Sequence, residues 1–436
     1  MLNPVKVGIL GLGTVGGGTV SILQKNADEI ARRAGRGIVV THACAKEINK
    51  AYPYDTDNIV LTDQLIEVIN QPDIDIIVEL IGGTTIALEI ILKAIQNGKH
   101  VVTANKALIA KHGNEIFAAA QAKGVMVAFE AAVAGGIPII KALREGLAAN
   151  EIAYIAGIIN GTSNFILTEM REKGSDFAEV LAEAQALGYA EKDPTFDIEG
   201  VDAAHKLTIL ASIAFGIPLQ FDKVYMEGIT KISNDDVKFA EELGYKIKHL
   251  GITKRTDKGI ELRVHPTFVP NKRLIANVEG VMNAVLVDSD ALGESLYYGA
   301  GAGALATGSA IIADLVDVTR TLTTDPGNRV PHLAFQALAD LPIVPIEEIE
   351  SCYYLRISAN DTLGVLAYIT SILSEQSINI EAIIQKEPIA GTEEVTIVIL
   401  TYKVVEKNLN KAIETIEKLD AIKGQVTRIR VEMLED

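Results

Sequence analysis

Short, continuously apolar runs alternate with amphipathic stretches along the first part of the chain. The runs VKVGIL (5–10) and IDIIVEL (74–80) are rich in β-branched residues, and GIVVTHACA, HVVTA and VMVAF have the same character. Such runs are typical of strands that are buried on both faces of a parallel sheet. The stretches between them, at 14–25, 62–70, 84–97 and 106–122, have the spacing of helices. This alternation predicts an α/β, doubly wound domain over residues 1–137.

The pattern changes near residue 138. Helical stretches at 138–150, 163–173, 176–187 and 198–215 surround strand-like runs at 151–160, 259–269 and 281–287, and an irregular acidic loop covers 188–197. This mixture predicts an α+β domain over 138–310. A helix at 310–322 is expected to pack back on the first domain, and the four prolines of 323–349 indicate a linker, so 311–349 is assigned to the returning helix and linker.

The last part of the chain has the pattern of a ferredoxin-like βαββαβ module over 350–436. Strands are expected at 353–359, 379–386, 393–402 and 426–434, and helices at 363–376 and 406–418. A sheet of this kind leaves one face exposed unless it pairs, so the module is expected to mediate an assembly. Deleting it is expected to leave a soluble, active core.

The charge and the cysteine content narrow the class of protein. The net charge of −17 disfavours binding to nucleic acid, because phosphate backbones are repelled. Cys44 and Cys352 are far apart in the sequence, which fits a reducing compartment and no disulfide framework. No apolar run reaches about 18 residues, the length of a membrane helix, and the chain starts directly in a strand. These features predict a cytoplasmic protein that does not bind a membrane.

A glycine-rich loop follows the first predicted strand. Gly11, Gly13 and Gly16 form the pattern GxGxxG at the start of a helix, where backbone N–H groups can bind a pyrophosphate. The motif therefore predicts a Rossmann-type dinucleotide site, the alternative being a structural glycine turn. Lys46 stands beside Glu47 after the second strand, where a cation favours the 2′-phosphate of NADP and an acid favours NAD. NADP is favoured, NAD stays open, and Arg36 is a second candidate for the phosphate.

Two further groups of polar residues are candidates for chemistry. Thr103 and Lys106 follow a predicted strand at the sheet edge where ligands bind, although Lys106 could equally be a solvated lysine. Asp202 and Lys206 stand at i, i+4 on an otherwise apolar helix and share one face. Glu191 and Asp197 precede the same face, so the lysine could be tuned for acid–base work. The alternative is a structural ion pair.

Six motifs, GLGTVGGG, TANK, EAAVAGGIP, NGTSNFIL, GYAEKDPTFDIEGVDAAHK and YGAGAG, follow one another in this order. Together they make the whole chain resemble homoserine dehydrogenases that carry a C-terminal ACT regulatory domain. The resemblance implies that Lys206 is the acid–base lysine, oriented by Asp202, and that Lys106 is a second active-site lysine. It implies that Glu191 binds the substrate amino group with Asp197 nearby. It also makes 138–310 the catalytic, substrate-binding and dimerisation domain.

The same resemblance implies the remaining binding residues. Thr14 and Val15 belong to the cofactor loop, and Gly188 and Gly303 line the cofactor and substrate cleft. A monovalent cation, usually sodium, is bound by Glu130 and by the carbonyl oxygens of Val133, Gly135 and Ile137. The turn with Asn360, Asp361 and Gly364 marks the ACT domain and its effector site, threonine being the expected effector and a purely structural oligomerisation module the alternative.

The activity implied is the NAD(P)-dependent interconversion of L-aspartate 4-semialdehyde and L-homoserine, in threonine and methionine biosynthesis. The protein is expected to be a homo-oligomer, dimer or tetramer. Two alternatives are a different amino-acid semialdehyde reductase and a non-enzymatic nucleotide and amino-acid sensor. A catalytic cysteine would mark aspartate-semialdehyde dehydrogenase, but Cys44 lies in a predicted strand and Cys352 in the predicted linker.

Overall fold

The structure is a computed structural model that describes residues 2–386 and 394–434. Its strands are β1 (Val5–Leu10), β2 (Ile38–Cys44), β3 (Val60–Thr62), β4 (Ile76–Glu79), β5 (His100–Thr103), β6 (Val127–Ala128), β7 (Ile152–Ile158), β8 (Tyr225–Met226), β9 (Tyr245–Thr256), β10 (Gly259–Pro270), β11 (Met282–Ser289), β12 (Ser295–Ala300), β13 (Glu350–Asn360), β14 (Ile380–Gln385), β15 (Glu394–Thr401), β16 (Val404–Val405) and β17 (Ile422–Val431).

The helices are α1 (Thr14–Lys25), α2 (Ala27–Ala34), α3 (Leu65–Ile69), α4 (Thr85–Gln96), α5 (Lys106–Lys123), α6 (Ile139–Lys141), α7 (Gly161–Lys173), α8 (Phe177–Ala186), α9 (Thr195–Ile198), α10 (Val201–Phe215), α11 (Asn234–Glu242), α12 (Ala304–Thr321), α13 (Val365–Glu375) and α14 (Glu406–Ile416). Helix α6 continues into a π-helical turn at Ala142–Gly146. Among the described residues, no helix combines the length and apolar character needed to cross a membrane.

The chain forms two compact units, and each unit is assembled from separate segments. The first contains Met1–Gly161, Val201–Val224 and Val281–Leu341, and the second contains Thr162–Gly200, Tyr225–Gly280 and Pro342–Asp436. The boundaries drawn at residues 137, 310 and 349 stay predictions.

The first unit contains the predicted doubly wound sheet. Its strand order is β3-β2-β1-β4-β5-β6, and all the pairs are parallel. The order reverses between β1 and β4, and ligands bind beside the carboxyl ends of the strands at such a switch point. The predicted return of a helix onto this domain is confirmed. Helix α12 begins at Ala304 and lies so close to α1 that a Cβ on Gly18 would be 2.3 Å from the Ala304 oxygen.

The second unit contains the predicted βαββαβ module. Strands β9, β10, β17, β13, β15 and β14 lie side by side in that order, so the first and last strands of the module, β13 and β17, are neighbours. This arrangement confirms the ferredoxin-like prediction. Cys352 lies in β13, which corrects its assignment to the linker.

The prediction of an exposed sheet face on this module is wrong. Tyr354, Val398 and Val431 belong to a buried cluster that also contains Phe165 and Phe268 from other parts of the same unit. The edge of the module is covered as well, because β17 pairs in parallel with β10. Deleting 350–436 would uncover this shared core, so the structure favours an insoluble truncated protein over the soluble core expected from the sequence.

Candidate active site

The glycine-rich loop has the conformation that a dinucleotide requires. Gly11 has φ +108°, and a Cβ on Gly16 would be 2.1 Å from the Gly11 oxygen, so both positions need glycine. A Cβ on Gly13 would meet no atom within 4 Å, and no side chain caps the start of α1. The loop therefore leaves open space beside the N–H groups of Thr14 and Val15, which suits a pyrophosphate.

A buried carboxylate that the sequence analysis did not single out holds the next loop in place. Glu79 ends β4 and accepts a 2.6 Å hydrogen bond from the Thr103 hydroxyl. Its other oxygen accepts bonds from the N–H groups of Ile81 and Gly82, at 2.9 and 3.1 Å. An acid at the end of an apolar run, beside a predicted ligand edge, was the available signal. Glu79 fixes the backbone at the switch point.

The two candidates for cofactor selection lie at opposite ends of β2. Lys46 is exposed and follows the carboxyl end of β2, where the Gly11 N–H donates to the Cys44 oxygen at 2.9 Å. Arg36 precedes the strand and therefore lies at its amino end. Because ligands of a parallel sheet bind at the carboxyl ends, this position disfavours Arg36 as the residue that recognises the phosphate.

Asp202 joins two lysines from different helices. The Lys206 ammonium is 2.7 Å from Asp202 Oδ2, and the Lys106 ammonium is 3.0 Å from Asp202 Oδ1. Lys206 also donates to the carbonyl oxygen of Ile159 at 2.6 Å, and the Asn160 amide donates to Asp202 Oδ2 at 2.9 Å. The predicted i, i+4 pair is therefore present, and the structure adds Lys106 to it.

The electrostatics of this cluster favour a permanently ionised carboxylate. Asp202 is 4% exposed and Lys206 is 9% exposed. Burial alone would raise the pKa of the Asp202 carboxyl, but the charges of Lys206 and Lys106, with hydrogen bonds from Lys206 and Asn160, hold that pKa well below its usual range. A buried carboxylate of this kind can orient an ammonium group for proton transfer.

Glu191, Asp197 and Gly188 lie in the second unit. Glu191 is exposed, and its carbonyl oxygen accepts a bond from the Gln185 amide at 3.1 Å. Asp197 lies in α9, a short helix within the stretch predicted as an irregular loop, and its carbonyl oxygen accepts from the Ser163 hydroxyl. Gly188 has φ +77° just after α8, where glycine is favoured. The roles of these residues stay predictions.

Glu130 is buried beside a second acid. Its two carboxylate oxygens each accept a backbone N–H, from Ile140 and Lys141, at 2.9 Å. Burial, and next the charge of Asp314, raise the pKa of Glu130 to about 8. A bound cation would relieve this repulsion, and carboxylate and carbonyl oxygens suit sodium.

The backbone beside Glu130 bends sharply. Gly135 has φ +51°, and its Cβ would be 2.4 Å from the Gly301 oxygen. Val133, Gly135 and Ile137 lie within this bend, although the Ile137 oxygen already accepts the Ile139 N–H at 2.8 Å. Among the described residues, no three His, Cys, Asp or Glu side chains are grouped to hold a metal. The chemistry of these oxygens fits a monovalent cation bound mainly by carbonyl groups.

Two glycines with positive φ immediately precede helices. Gly303 has φ +117°, precedes α12, and has no atom within 4 Å of an added Cβ. Gly364 has φ +89° and precedes α13. Asn360, Asp361 and Gly364 line a cavity of about 480 Å³, whose lining also includes Gln385 and Ile397.

Family models cover most of the chain. The model described as "Homoserine dehydrogenase, NAD binding domain" matches residues 11–130, "Homoserine dehydrogenase" matches 138–316, and "ACT domain" matches 353–421. A Pseudomonas aeruginosa protein named homoserine dehydrogenase is 64% identical over 99% of this chain and 100% of its own length. The chain belongs to the homoserine dehydrogenase family. As a homoserine dehydrogenase it is an oxidoreductase that uses a nicotinamide cofactor, so the predicted family, fold class and type of cofactor are confirmed, whereas the individual site residues stay predictions.

Solved homoserine dehydrogenases have the same fold. One from Thiobacillus denitrificans is 62% identical, with a TM-score of 0.95 over 99% of both chains. A hyperthermophilic archaeal homoserine dehydrogenase in complex with NADPH has a TM-score of 0.62 at 26% identity, and it covers 73% of this chain and 98% of its own.

Proposed function

We propose that this homoserine dehydrogenase interconverts L-aspartate 4-semialdehyde and L-homoserine, and that Asp202, Lys206 and Lys106 carry the proton chemistry. The contact of one buried carboxylate with two lysines is the observation that supports the proposal. A structural ion pair needs only one lysine. A second cation beside the same acid provides positive charge for an oxygen that becomes negative during the reaction.

The nicotinamide cofactor would supply the hydride that reduces the aldehyde carbon. As the carbonyl oxygen gains negative charge, the Lys206 ammonium gives it a proton, and Asp202 keeps that ammonium aimed. Lys106 stabilises the developing charge. In the oxidative direction Lys206 takes the proton back from the hydroxyl of homoserine.

The amino-acid end of the substrate needs an acid for its ammonium group. Glu191 is assigned to this ammonium, with Asp197 nearby. Glu191→Ala is then expected to raise the KM for homoserine much more than the KM for the cofactor. Equal changes in the two constants would assign Glu191 to the fold instead.

NADP is the favoured cofactor, because exposed Lys46 follows the carboxyl end of β2. Thr103 and Gly303 are assigned to the cofactor site together with the glycine loop. Lys46→Glu should shift the ratio of kcat/KM values toward NAD, and Arg36→Ala is the matched control that should leave this ratio unchanged. A ratio unaltered by Lys46→Glu would show that another residue recognises the phosphate.

Sodium is the cation assigned to Glu130 and to the carbonyl oxygens of Val133, Gly135 and Ile137. Its binding would neutralise a buried charge and rigidify the bend. Unfolding temperature measured in sodium chloride and in choline chloride at equal ionic strength tests this site. Stabilisation by sodium that persists in Glu130→Gln would place the cation elsewhere.

Threonine is the proposed effector, bound at the cavity beside Asn360, Asp361 and Gly364. An N-terminus of a helix suits a carboxylate, and α13 begins at this cavity. Feedback by threonine would place the enzyme in threonine and methionine biosynthesis. Gly364→Asp puts a second negative charge there and should remove the inhibition. Inhibition that survives in this variant would move the effector site away from the ACT domain.

A homo-oligomer, dimer or tetramer, is also proposed. Leu363 is fully exposed and Tyr368 is 65% exposed, both next to the ACT cavity. Light scattering of the intact protein measures the mass of the assembly. Introducing charge at Leu363 should lower that mass if the ACT domain forms the contact.

Steady-state oxidation of L-homoserine decides between this reaction and that of another semialdehyde reductase. The assay uses both cofactors, with and without threonine. Lys206→Ala should lose turnover while the quenching of bound cofactor fluorescence persists. More than about a tenth of the wild-type turnover in this variant would rule out Lys206 as the general acid, whose loss normally costs about 100-fold or more.

A further inference from the structure

A short segment of the second unit links the ACT module to the turn that leads into α10. We call Tyr225–Thr230 the linking segment. It begins with β8, which pairs in parallel with β10, and its Glu227 N–H donates to the Val264 oxygen at 2.8 Å. Its two ends contact different parts of the unit.

The first end is clamped by a buried arginine of the module. Arg430 of β17 is 1% exposed and donates to Glu227 at 2.8 Å and to the Tyr225 hydroxyl at 3.3 Å. The Tyr225 hydroxyl itself donates to Glu227 at 2.9 Å. Burial alone would raise the pKa of Glu227, but the charge of Arg430 outweighs it and lowers the pKa, so the pair is ionic.

The same guanidinium is held on its other side by the module itself. Glu406, at the start of α14, accepts two bonds from Arg430, at 3.0 and 2.5 Å. Glu406 also accepts the Tyr353 hydroxyl at 3.0 Å. One arginine therefore bridges a carboxylate of the ACT module and a carboxylate of the linking segment.

The second end of the linking segment lies against residues 198–200. The Ile229 N–H donates to the Ile198 oxygen at 2.9 Å, and the Thr230 hydroxyl donates to Glu199 at 3.2 Å. A Cβ on Gly228 would be 2.6 Å from the Ile198 oxygen, so the two backbones touch. Residues 198–200 separate Asp197 from the first residue of α10.

The side chain of a histidine lies between the middle of the segment and the same turn. His249 Nε2 donates a hydrogen bond to the backbone carbonyl oxygen of Glu227, at 3.0 Å. Its ring lies 3.2 Å from a Cβ built on Gly200, which has φ +84°. A side chain at position 200 would therefore displace either the histidine or the turn.

We propose that the linking segment transmits the state of the ACT module, through Arg430, to the turn between Asp197 and α10. The segment is short and bonded at both ends, so a shift of Arg430 changes the position of the turn. Glu227 and His249 are positioning residues, because they act through this turn. The inference rests on the proposed function only in assigning substrate binding to Asp197.

Amide hydrogen exchange of the full-length protein tests the link without needing activity. Glu406→Gln weakens the ion pair that holds Arg430 within the module, and Glu227→Gln removes the ion pair between Arg430 and the linking segment. Each should speed exchange of a peptide spanning 195–206 by about fivefold or more, the size of a typical coupling between sites. The double variant should exchange no faster than Glu227→Gln alone. Tyr353→Phe is a milder perturbation of Glu406 in case Glu406→Gln does not fold.

Glu432→Gln is the matched control. Glu432 follows β17 and makes a comparably short ion pair with Arg263 of β10, at 2.7 Å, but its side chain makes no bond to the linking segment. It should leave the 195–206 peptide unchanged, with a peptide from α1 as the internal reference. Exchange confined to 406–431 in both module-side variants, Glu406→Gln and Tyr353→Phe, would overturn the proposal.

A kinetic split separates this link from the proposed function. Glu227→Gln should raise the KM for homoserine and leave the KM for the cofactor unchanged, whereas a purely structural role would lower only the unfolding temperature. A wild-type protein that does not oxidise homoserine would refute the proposed reaction. The exchange experiment would still decide whether the module and the turn are linked.

Discussion

Replacing Asp202 by asparagine should separate the charge of the cluster from its shape. The substitution keeps the side-chain volume and leaves two ammonium groups around a neutral amide. At an effective dielectric constant of about 20, a charge pair at 2.7 or 3.0 Å is worth roughly 6 kcal/mol before solvation is counted. Removing one partner of a buried pair costs about 3–5 kcal/mol after that correction. The lower value applies here, since the Lys106 side chain is 33% exposed.

Urea unfolding and initial rates of homoserine oxidation measure the two effects. We expect a loss of about 3 kcal/mol in unfolding free energy and of about 100-fold or more in kcat, because Lys206 is no longer aimed. Thr208→Val is the control. Its buried hydroxyl donates to the Ala204 oxygen on the same helix, and losing it should cost about 1 kcal/mol without changing kcat.

The double variant Asp202→Asn/Lys106→Met returns the cluster to its original net charge. It should recover part of the lost stability and none of the lost kcat. A kcat within about threefold of wild type in Asp202→Asn would refute the argument, because such a change is less than 1 kcal/mol in the barrier.

Three further outcomes are expected. Gly13→Ala should weaken cofactor binding without lowering the unfolding temperature. Gly16→Ala should lower the unfolding temperature, because only a Cβ at position 16 would collide with the backbone. Equal unfolding temperatures of the two variants would contradict this. The free energy of unfolding should fall as the pH drops below about 6.5, because histidines of the unfolded chain then take up protons that the buried, neutral histidines of the folded protein cannot. Each buried histidine should lower this free energy by about 1 kcal/mol at pH 5.5, which is measured from urea midpoints. These histidines, whose pKa is lowered first by burial, are His100, His205, His249, His265 and His332. Deletion of 350–436 should yield insoluble protein, and a soluble, folded product in a sedimentation and circular dichroism assay would show that the shared core is dispensable.

The parallel sheet was predictable because its strands are apolar throughout, so each continuous apolar run in the sequence indicates one strand. Strand β9 was missed, because its sequence YKIKHLGITKRT mixes cations with apolar residues. Lys248 in that strand is buried, and its ammonium donates to the Val278 oxygen at 2.6 Å and to Glu279 at 3.1 Å. The pattern of polar and apolar residues does not distinguish a buried, ion-paired lysine from an exposed one, so such a strand is not recognised from the sequence.

The sequence of β13 itself indicates that both faces of the ACT module are covered. Tyr353 and Tyr354 are adjacent, so they point to opposite faces of β13, and both are fully buried. An apolar run of this kind indicates burial on both sides.

In the active site, the i, i+4 spacing along the chain was enough to predict that Asp202 and Lys206 lie together. The contact of Lys106 with the same carboxylate depends on the packing of α5 against α10, which spacing along the chain does not encode.

The position of β17 in its sheet has a consequence for biosynthesis. This strand follows β10 and β13 in the chain, yet it fills the place between them. Until β17 has left the ribosome, those two strands have unpaired edges that can add a strand from another chain. Synthesis of β17 is therefore the event that closes both edges and removes this route to aggregation in the second unit.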